Sequence, residues 1–409
     1  MYNFESYGKD VENLLSEIMD LDKTYYMNTF GARLPVAFER GNGLTLISTE
    51  GKEYKDFLGG IAVNALGHSH PVFIRRMKEQ LDRLIHTSNL YYIENQARLA
   101  QKLAEHSAAD RVFFCNSGAE ANEGAFKLAK IYYYKQQKNK FEIITLDSSF
   151  HGRTLATVAA TGQEKYQKPY KPLTPGFIQV EPNNLDAVKN AVTEHTAAIM
   201  VELIQGESGV HPMDQDYIQG LRKLCDEQDI LLIFDEVQTG MGRTGYMFAH
   251  QMYGVEPDIF TAAKALGNGI PIGAVCAKEF VAQAFAPGDH GSTFGGGPLA
   301  TAAGLAVFDI IEEEHILENV QAVSAYFMAQ LKTIQKNHAE KVLELRNAGL
   351  LIGIELEPSA AKQVFDRLFD LGILTSLCGG TTIRLAPPLN ITNSDVDAFI
   401  EKLNTALSE

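Results

Sequence analysis

Short apolar runs alternate with longer amphipathic stretches over most of the chain. From about residue 111 the runs RVFFC, FEIITL, AAIMVELI and ILLIFDEV are separated by helical patterns such as AEANEGAFKLAKIYYY and DQDYIQGLRKLCDEQ. Short runs rich in β-branched residues predict buried strands, and the longer patterns predict helices. Their order predicts βαβ units around a mostly parallel sheet, which binds ligands at the carboxyl ends of its strands.

The pattern changes towards both ends of the chain. After about residue 298, two long helical patterns reach to about residue 336, and strand-like VLELR, LLIGIEL, GILTS and TTIRLA follow. The first 60 residues contain an acidic helical pattern and the hairpin signal FERGNGLTLISTEGKEYKDF, with turns at GNG and EGK. We therefore predict an N-terminal segment (1–60) that packs with the small domain, a large domain (61–300) and a small α+β C-terminal domain (301–409).

Composition narrows the class of protein. With 409 residues, 45% of them hydrophobic and 21% charged, the chain can form a sizeable core in about two to three domains. A net charge of −15 disfavours nucleic-acid binding. The cysteines form no C-x-x-C pair, so neither a disulfide framework nor a zinc site is indicated. The polar, acidic start and the lack of long apolar stretches predict a cytoplasmic protein with no membrane contact.

Two charged residues follow apolar runs at places where a charge is costly. Asp235 ends ILLIFD, and an ionised carboxylate there needs a cation or hydrogen bonds. Lys264 follows PDIFTAA and precedes a Gly-rich turn. Taken alone, Asp235 would more often cap a loop or form an ion pair, and Lys264 would lie at the surface. Together they indicate the pyridinium partner and the Schiff-base amine that pyridoxal 5'-phosphate (PLP) requires of a protein.

Two turns are candidate phosphate sites. In CNSGAEANE, Ser117 and Gly118 lie between a predicted strand and a helix that opens near Ala119, which leaves unpaired N–H groups at the positive end of the helix. Taken alone, this is more often an ordinary capped helix start. Ser292 and Thr293, before the glycines of GSTFGGGPLA, are a second candidate. His68 and His70 lack the further ligands of a metal site, so we predict no metal.

Eight motifs in family order resemble those of the class III, fold-type I aminotransferases, most closely the acetylornithine group. They are GIAVNALGHSHP, FFCNSGAEANE, FHGRTLATVAATGQ, QGESGV, LLIFDEVQTGMGRTG, PDIFTAAKALGNG, GDHGSTFGGGPLA and IRLAPPL, and they cover nearly the whole chain. The resemblance implies a homodimer with shared active sites. It also implies an α/β large domain whose mostly parallel sheet is flanked by helices, and a smaller α+β domain.

The resemblance assigns the cofactor contacts. It implies that Lys264 carries PLP and moves the proton, and that Asp235 keeps the pyridine nitrogen protonated. Gln238 would bind the phenolic oxygen, and Phe150 would cover the ring. The remaining implied contacts are Ser117, Gly118, Ala119, Glu236, Val237 and, towards the neighbouring subunit's phosphate, Thr293.

Substrate contacts follow from the same resemblance. Arg153 is implied to bind the donor's carboxylate, and Arg384 the α-carboxylate of glutamate or 2-oxoglutarate. Glu207 would pair with Arg384 while the basic donor is bound, and Ser292 would touch substrate. Without the resemblance, both arginines would be taken for surface salt-bridge residues.

The implied reaction converts N-acetyl-L-ornithine and 2-oxoglutarate to N-acetyl-L-glutamate 5-semialdehyde and L-glutamate. His151 favours an acylated donor, because ornithine δ-aminotransferases commonly have an aromatic residue there. Departures at Leu203, Gly297 and residues 374–382 leave succinylornithine, succinyldiaminopimelate, ornithine and 4-aminobutyrate open as donors. Two other functions also stay open: an aminomutase or racemase on the same scaffold, and a non-catalytic PLP-binding regulator.

Overall fold

The structure, a computed structural model, describes residues 11–409. The helices are α1 Val11–Tyr25, α2 Gly59–Ala62, α3 Pro71–Arg83, α4 Glu94–Glu105, α5 Gly118–Lys135, α6 Leu155–Ala160, α7 Glu164–Gln167, α8 Leu185–Ala191, α9 Gln215–Gln228, α10 His250–Tyr253, α11 Glu279–Ala282, α12 Pro298–Glu313, α13 Ile316–Asn337, α14 Pro358–Asp370 and α15 Asn393–Ser408. Two short 3-10 helices lie at Lys168–Tyr170 and Lys264–Gly267.

The strands belong to four sheets. They are β1 Phe38–Asn42, β2 Thr45–Ser48, β3 Glu53–Asp56, β4 Arg111–Cys115, β5 Glu142–Leu146, β6 Phe177–Val180, β7 Thr196–Val201, β8 Ile204–Gln205, β9 His211–Pro212, β10 Leu231–Asp235, β11 Ile259–Ala262, β12 Gly273–Ala277, β13 Val342–Ala348, β14 Leu351–Leu356, β15 Ile373–Leu374, β16 Ser376–Cys378 and β17 Thr382–Leu385.

A seven-stranded sheet in the order β4-β12-β11-β10-β7-β5-β6 forms the centre. Every residue of β7 and β10 is buried, as expected for strands covered on both faces. The predicted mostly parallel sheet is confirmed, with β12 as the exception because it runs antiparallel to both neighbours. The link from β11 to β12, residues 263–272, is shorter than the roughly dozen residues that a parallel crossover needs.

The predicted N-terminal hairpin is confirmed and has three strands. β1, β2 and β3 pair antiparallel, and β3 also pairs parallel with β15, with Lys55 opposite Ile373. Residues near the start and the end of the chain therefore share one sheet.

The C-terminal part combines the sheet β13-β14-β17-β16 with long helices. The run GILTS, expected as one strand, is divided at Thr375. Ile373 and Leu374 pair with β3, whereas Ser376 and the residues after it pair with β17. One apolar run thus contributes strands to two different sheets. Among residues 11–409, no helix is long and apolar enough to cross a membrane.

Candidate active site

A cavity of about 390 Å³ opens where the central strands end, a volume typical of small-molecule sites. Its walls come from the ends of β7 and β10, the turn after β4, and the loop between β11 and β12. The residues that line it include Val63, Asn116, Ser117, Gly118, Ala119, Asn122, Phe150, His151, Arg153, Glu202, Glu207, Asp235, Val237, Gln238, Lys264, Ile270 and Pro271.

Asp235 is held from three directions at the end of β10. Its Oδ2 accepts from Asn122 Nδ2 at 2.8 Å and lies 2.8 Å from His151 Nδ1, while its Oδ1 accepts from the Val237 backbone N–H at 3.0 Å. Asn122 is fixed in turn, because its Oδ1 accepts from the Thr261 hydroxyl at 2.8 Å. These bonds offset the cost of burying the carboxylate and give it one orientation.

Lys264 opens the short 3-10 helix after β11 in a left-handed conformation, with φ of +48°. Positive φ is uncommon for a residue with a side chain, and it places the amine in the cavity wall. Burial lowers the pKa of Lys264, and the positive charge of Arg384 acts in the same direction, although Glu207 and Asp235 oppose it. A larger neutral fraction makes this amine a better nucleophile.

The turn after β4 has the features of an anion site. The Ser117 hydroxyl caps α5 by accepting from the Glu120 N–H at 3.2 Å. The N–H groups of Gly118 and Ala119 have no carbonyl one turn earlier in the helix, so they are free for a ligand. A side chain at Gly118 would lie 2.7 Å from Val237, which explains the glycine.

Glu202 is a second buried carboxyl in the cavity wall. Its Oε2 accepts from the Phe150 backbone N–H at 2.9 Å. Burial raises the pKa of Glu202 well above its ordinary value, and the negative charge of Asp235 raises it further. Glu202 therefore keeps its proton to higher pH in the folded protein than a free glutamate does.

Arg384 forms an ion pair behind the cavity wall. Its Nη1 donates to Glu207 Oε1 at 2.6 Å, and its Nε donates to the Ser376 hydroxyl at 3.1 Å. Gln238 Nε2 also donates to Glu207 Oε1, at 3.1 Å. Burial opposes ionisation of Glu207, yet the positive charges of Arg384 and Lys264 lower its pKa overall. The pair is therefore charged and oriented before any substrate arrives.

Four of the residues that the sequence points to lie away from this cavity. Glu236 turns into the core, where its carboxylate accepts from the His250 backbone N–H at 2.9 Å and lies 2.7 Å from His250 Nδ1. Ser292 and Thr293 line a separate cavity of about 330 Å³. It adjoins the first through Asn116, whose Nδ2 donates to the Ser292 hydroxyl at 3.2 Å. Arg384 reaches the main cavity only through its contacts with Glu207 and Gln238.

The structure also shows where the residues that depart from the family pattern lie. Leu203 is fully buried in the core, and its carbonyl accepts from the Tyr253 hydroxyl at 3.1 Å. Gly297 caps the start of α12. Of residues 374–382, Ser376 is the one that contacts Arg384.

Four polar residues of the cavity were missed as site residues by the sequence reasoning: Asn116, Asn122, His151 and Glu202. Asn122 had a usable signal, because it lies one helical turn beyond Gly118 on the same face of α5. Glu202 follows β7 just as Asp235 ends β10, and neighbouring parallel strands end at the same edge.

The donor set fits PLP by its chemistry. A buried carboxylate can pair with a pyridinium, a largely buried lysine with a lowered pKa can take an aldehyde, and a helix start can bind a phosphate. The glycine at position 118 lets the start of α5 approach Val237 closely, since a Cβ there would lie 2.7 Å from the Val237 side chain. When bound, PLP supplies an aldehyde for the amino group and a ring that accepts electrons from the reacting carbon.

Comparison with known proteins agrees with this site. The family described as aminotransferase class-III matches residues 26–407. Acetylornithine aminotransferase of Methanocaldococcus jannaschii is 48% identical, over 96% of this chain and 98% of its own. A crystal structure of N-acetylornithine aminotransferase from Stenotrophomonas maltophilia is 35% identical with a TM-score of 0.81, covering 95% and 98% of the two chains.

A further solved structure shows the cofactor in a similar protein. It is an ornithine aminotransferase from Toxoplasma gondii with partial occupancy of PLP at its active site, 30% identical, with a TM-score of 0.94 over 100% of this chain and 98% of its own. On the strength of the family match, which spans nearly the whole sequence, this chain belongs to the class III aminotransferases, which depend on PLP.

Proposed function

We propose that the protein is an N-acetyl-L-ornithine aminotransferase that uses 2-oxoglutarate as amino acceptor, a step of arginine biosynthesis in the cytoplasm. The observation that carries this proposal is that two differently held arginines lie at the cavity, Arg153 in its wall and Arg384 behind that wall. Arg384 is paired with Glu207, whereas Arg153 lies in the cavity wall without a carboxylate partner among residues 11–409. Relatives named acetylornithine aminotransferase, at 48% and 50% identity, support this choice of substrate.

The residues divide the work as follows. Lys264 holds the cofactor and then moves a proton to or from the reacting carbon. Asp235, fixed by Asn122 and His151, stabilises positive charge on the pyridine nitrogen. The N–H groups after Ser117 bind the phosphate, Phe150 and Val237 enclose the ring, and Gln238 contacts the phenolic oxygen.

Arg153 binds the donor's carboxylate, a task for which a planar guanidinium is well suited. Arg384 stays neutralised by Glu207 while the donor is bound, because the donor has a single carboxylate and Arg153 binds it. When 2-oxoglutarate enters, its α-carboxylate competes with Glu207 for Arg384. One cavity can thereby serve both half-reactions of a ping-pong cycle.

A donor panel tests the proposal. The PLP-loaded enzyme is assayed with N-acetylornithine, succinylornithine, succinyldiaminopimelate, ornithine and 4-aminobutyrate against 2-oxoglutarate, and glutamate is measured. We expect the highest kcat/KM for N-acetylornithine and no turnover by Lys264→Ala. A higher kcat/KM for any other donor would contradict the substrate assignment. Turnover without consumption of a keto acid would favour the aminomutase or racemase alternative.

We also propose a homodimer, in which Thr293 reaches the neighbouring subunit's phosphate and Ser292 touches substrate. Large apolar side chains are exposed near this region in the single chain, among them Leu90, Tyr92 and Phe294. Patches of this kind mark protein interfaces. Light scattering should give about 90 kDa, twice 45.1 kDa, and Leu90→Asp should lower both the mass and the activity. A fully active single chain would refute the dimer.

The division into residues 1–60, 61–300 and 301–409 remains a proposal. The pairing of β3 with β15 supports packing of the first segment against the last. Limited proteolysis with mapping of the cut sites tests it, and first cuts inside the central sheet would contradict it.

A further inference from the structure

The guanidinium of Arg153 rests on two aromatic rings. Its Cζ lies 4.0 Å from the ring centroid of Tyr166 and 5.6 Å from that of Phe150. The two rings meet edge to face, with centroids 5.8 Å apart. Phe150 and Arg153 line the cavity. Tyr166 contacts both of them but is not among the residues that line the cavity, so we expect it to act on substrate through these two residues.

Tyr166 is fixed to the segment that it supports. It lies in α7, and the side-chain amides on either side of it anchor this helix. Gln163 Nε2 donates to the Ser149 carbonyl at 2.9 Å, and Gln167 Nε2 donates to the Thr161 carbonyl at 2.8 Å. The ring therefore has a defined position relative to the chain between residues 149 and 161, which carries Phe150 and Arg153.

Stacking and ion pairing hold an arginine in different ways. A ring contacts the flat face of the guanidinium and leaves the N–H groups at its edge free for a bidentate carboxylate. A protein carboxylate occupies those same N–H groups and must be displaced by substrate. Arg384 is held in the second way, through Glu207. Arg153 is held in the first way, so substrate has no protein carboxylate among residues 11–409 to displace from its edge.

We propose that Tyr166 is a positioning residue that holds Arg153 for the carboxylate of the amino donor and so contributes to the preference for that substrate. This inference rests on the proposed function, because it requires Arg153 to bind the donor. The effect should be modest, since stacking of a cation on a ring at an exposed site corresponds to about a two- to five-fold change in an equilibrium constant.

The test compares Tyr166→Leu with Tyr166→Phe in the PLP-loaded enzyme. Leucine keeps the bulk and removes the aromatic face, whereas phenylalanine keeps the face and removes only the hydroxyl. We expect Tyr166→Leu to raise KM for N-acetylornithine by about two- to five-fold with little change in kcat and in KM for 2-oxoglutarate. Tyr166→Phe should match the unaltered enzyme. Calorimetric titration of N-acetylornithine into Lys264→Ala, with and without Tyr166→Leu, should show the same loss of affinity without turnover.

Several results would overturn the inference. An unchanged KM for N-acetylornithine in Tyr166→Leu would contradict the inference. An equal rise of KM for both substrates would indicate a general structural role. A loss in Tyr166→Phe as large as in Tyr166→Leu would assign the effect to the hydroxyl.

Arg153→Ala separates this inference from the proposed function. If that variant leaves donor KM unchanged, the role of Arg153 fails and the inference fails with it. If donor KM rises in Arg153→Ala but not in Tyr166→Leu, the inference alone fails.

Discussion

Nδ1 of His151 lies 2.8 Å from Oδ2 of Asp235, and Nε2 of the same fully buried ring has no hydrogen-bond partner among residues 11–409. A ring with only one polar contact has its N–H on the nitrogen that faces the carboxylate, so we infer that Nδ1 donates to Asp235. His151 then orients Asp235 through this hydrogen bond.

His151→Phe should slow the enzyme by weakening this arrangement. Hydrogen bonds to charged groups contribute about 1.5–3 kcal/mol, so we expect a loss of about 10- to 100-fold in the rate of the donor half-reaction. His151→Asn is the matched control, because its Nδ2 can replace Nδ1 as donor. Single-turnover spectroscopy of the bound cofactor gives the rate. Equal rates in His151→Phe and the unaltered enzyme would remove His151 from the site.

Gly273→Ala should weaken the binding of PLP. An added Cβ would lie 2.4 Å from the Ser117 carbonyl oxygen, which is backbone and must move, and the phosphate turn moves with it. Because overpacking costs about 1–3 kcal/mol, we expect the Kd for PLP to rise by about tenfold or more. Gly220→Ala is the control, since its Cβ meets the flexible end of Leu185 far from the cavity. Equal PLP affinity in both variants would contradict the prediction.

Glu202→Gln should change how stability depends on pH. In the unfolded chain this carboxyl loses its proton near pH 4.3, about the value for a free glutamate. Burial and the charge of Asp235 keep the proton on it to higher pH in the folded protein. Its contribution to stability is thus fully present below the unfolded pKa and is lost as pH rises through the folded pKa. Glutamine cannot ionise and shows no such loss.

The measurement is the midpoint of thermal unfolding of the PLP-free proteins at several pH values from 4 to 8, at one protein concentration. We expect the midpoint of Glu202→Gln, relative to that of the unaltered protein, to rise with pH. Parallel curves would mean that Glu202 ionises normally in the folded protein.

Ser376→Ala should affect mainly the keto acid. The hydroxyl accepts from Arg384 Nε at 3.1 Å, and this charge-assisted bond is worth about 1.5 kcal/mol. We expect KM for 2-oxoglutarate to rise by up to about tenfold, with little change for N-acetylornithine. Ser376→Thr keeps the hydroxyl and should retain most of the affinity. An equal rise for both substrates would show that Ser376 does not act through Arg384.

The sequence reasoning predicted the central sheet well because buried parallel strands are continuous apolar runs, as in β7 and β10. It missed β12, because the small residues GAVCA resemble a loop. It could not divide GILTS between two sheets, because a local sequence pattern does not show which strands pair with each other. Lys264 and Asp235 were predicted as site residues because a charge after an apolar run is unusual. His151 was missed because its role depends on its distance to Asp235, which no spacing reveals, whereas the spacing of Asn122 from Gly118 could have identified Asn122.

The ion pair between Arg384 and Glu207 joins residues 177 positions apart in the chain. Arg384 lies in β17 of a separate four-stranded sheet, so its contact with Glu207 forms only when that sheet packs beside the central one. An intermediate that has folded only its central sheet would carry Lys264 and Asp235 but lack Arg384. We therefore expect secondary structure to return first during refolding and selective binding of 2-oxoglutarate to return last. Selective binding of this substrate would then report that the whole chain has folded.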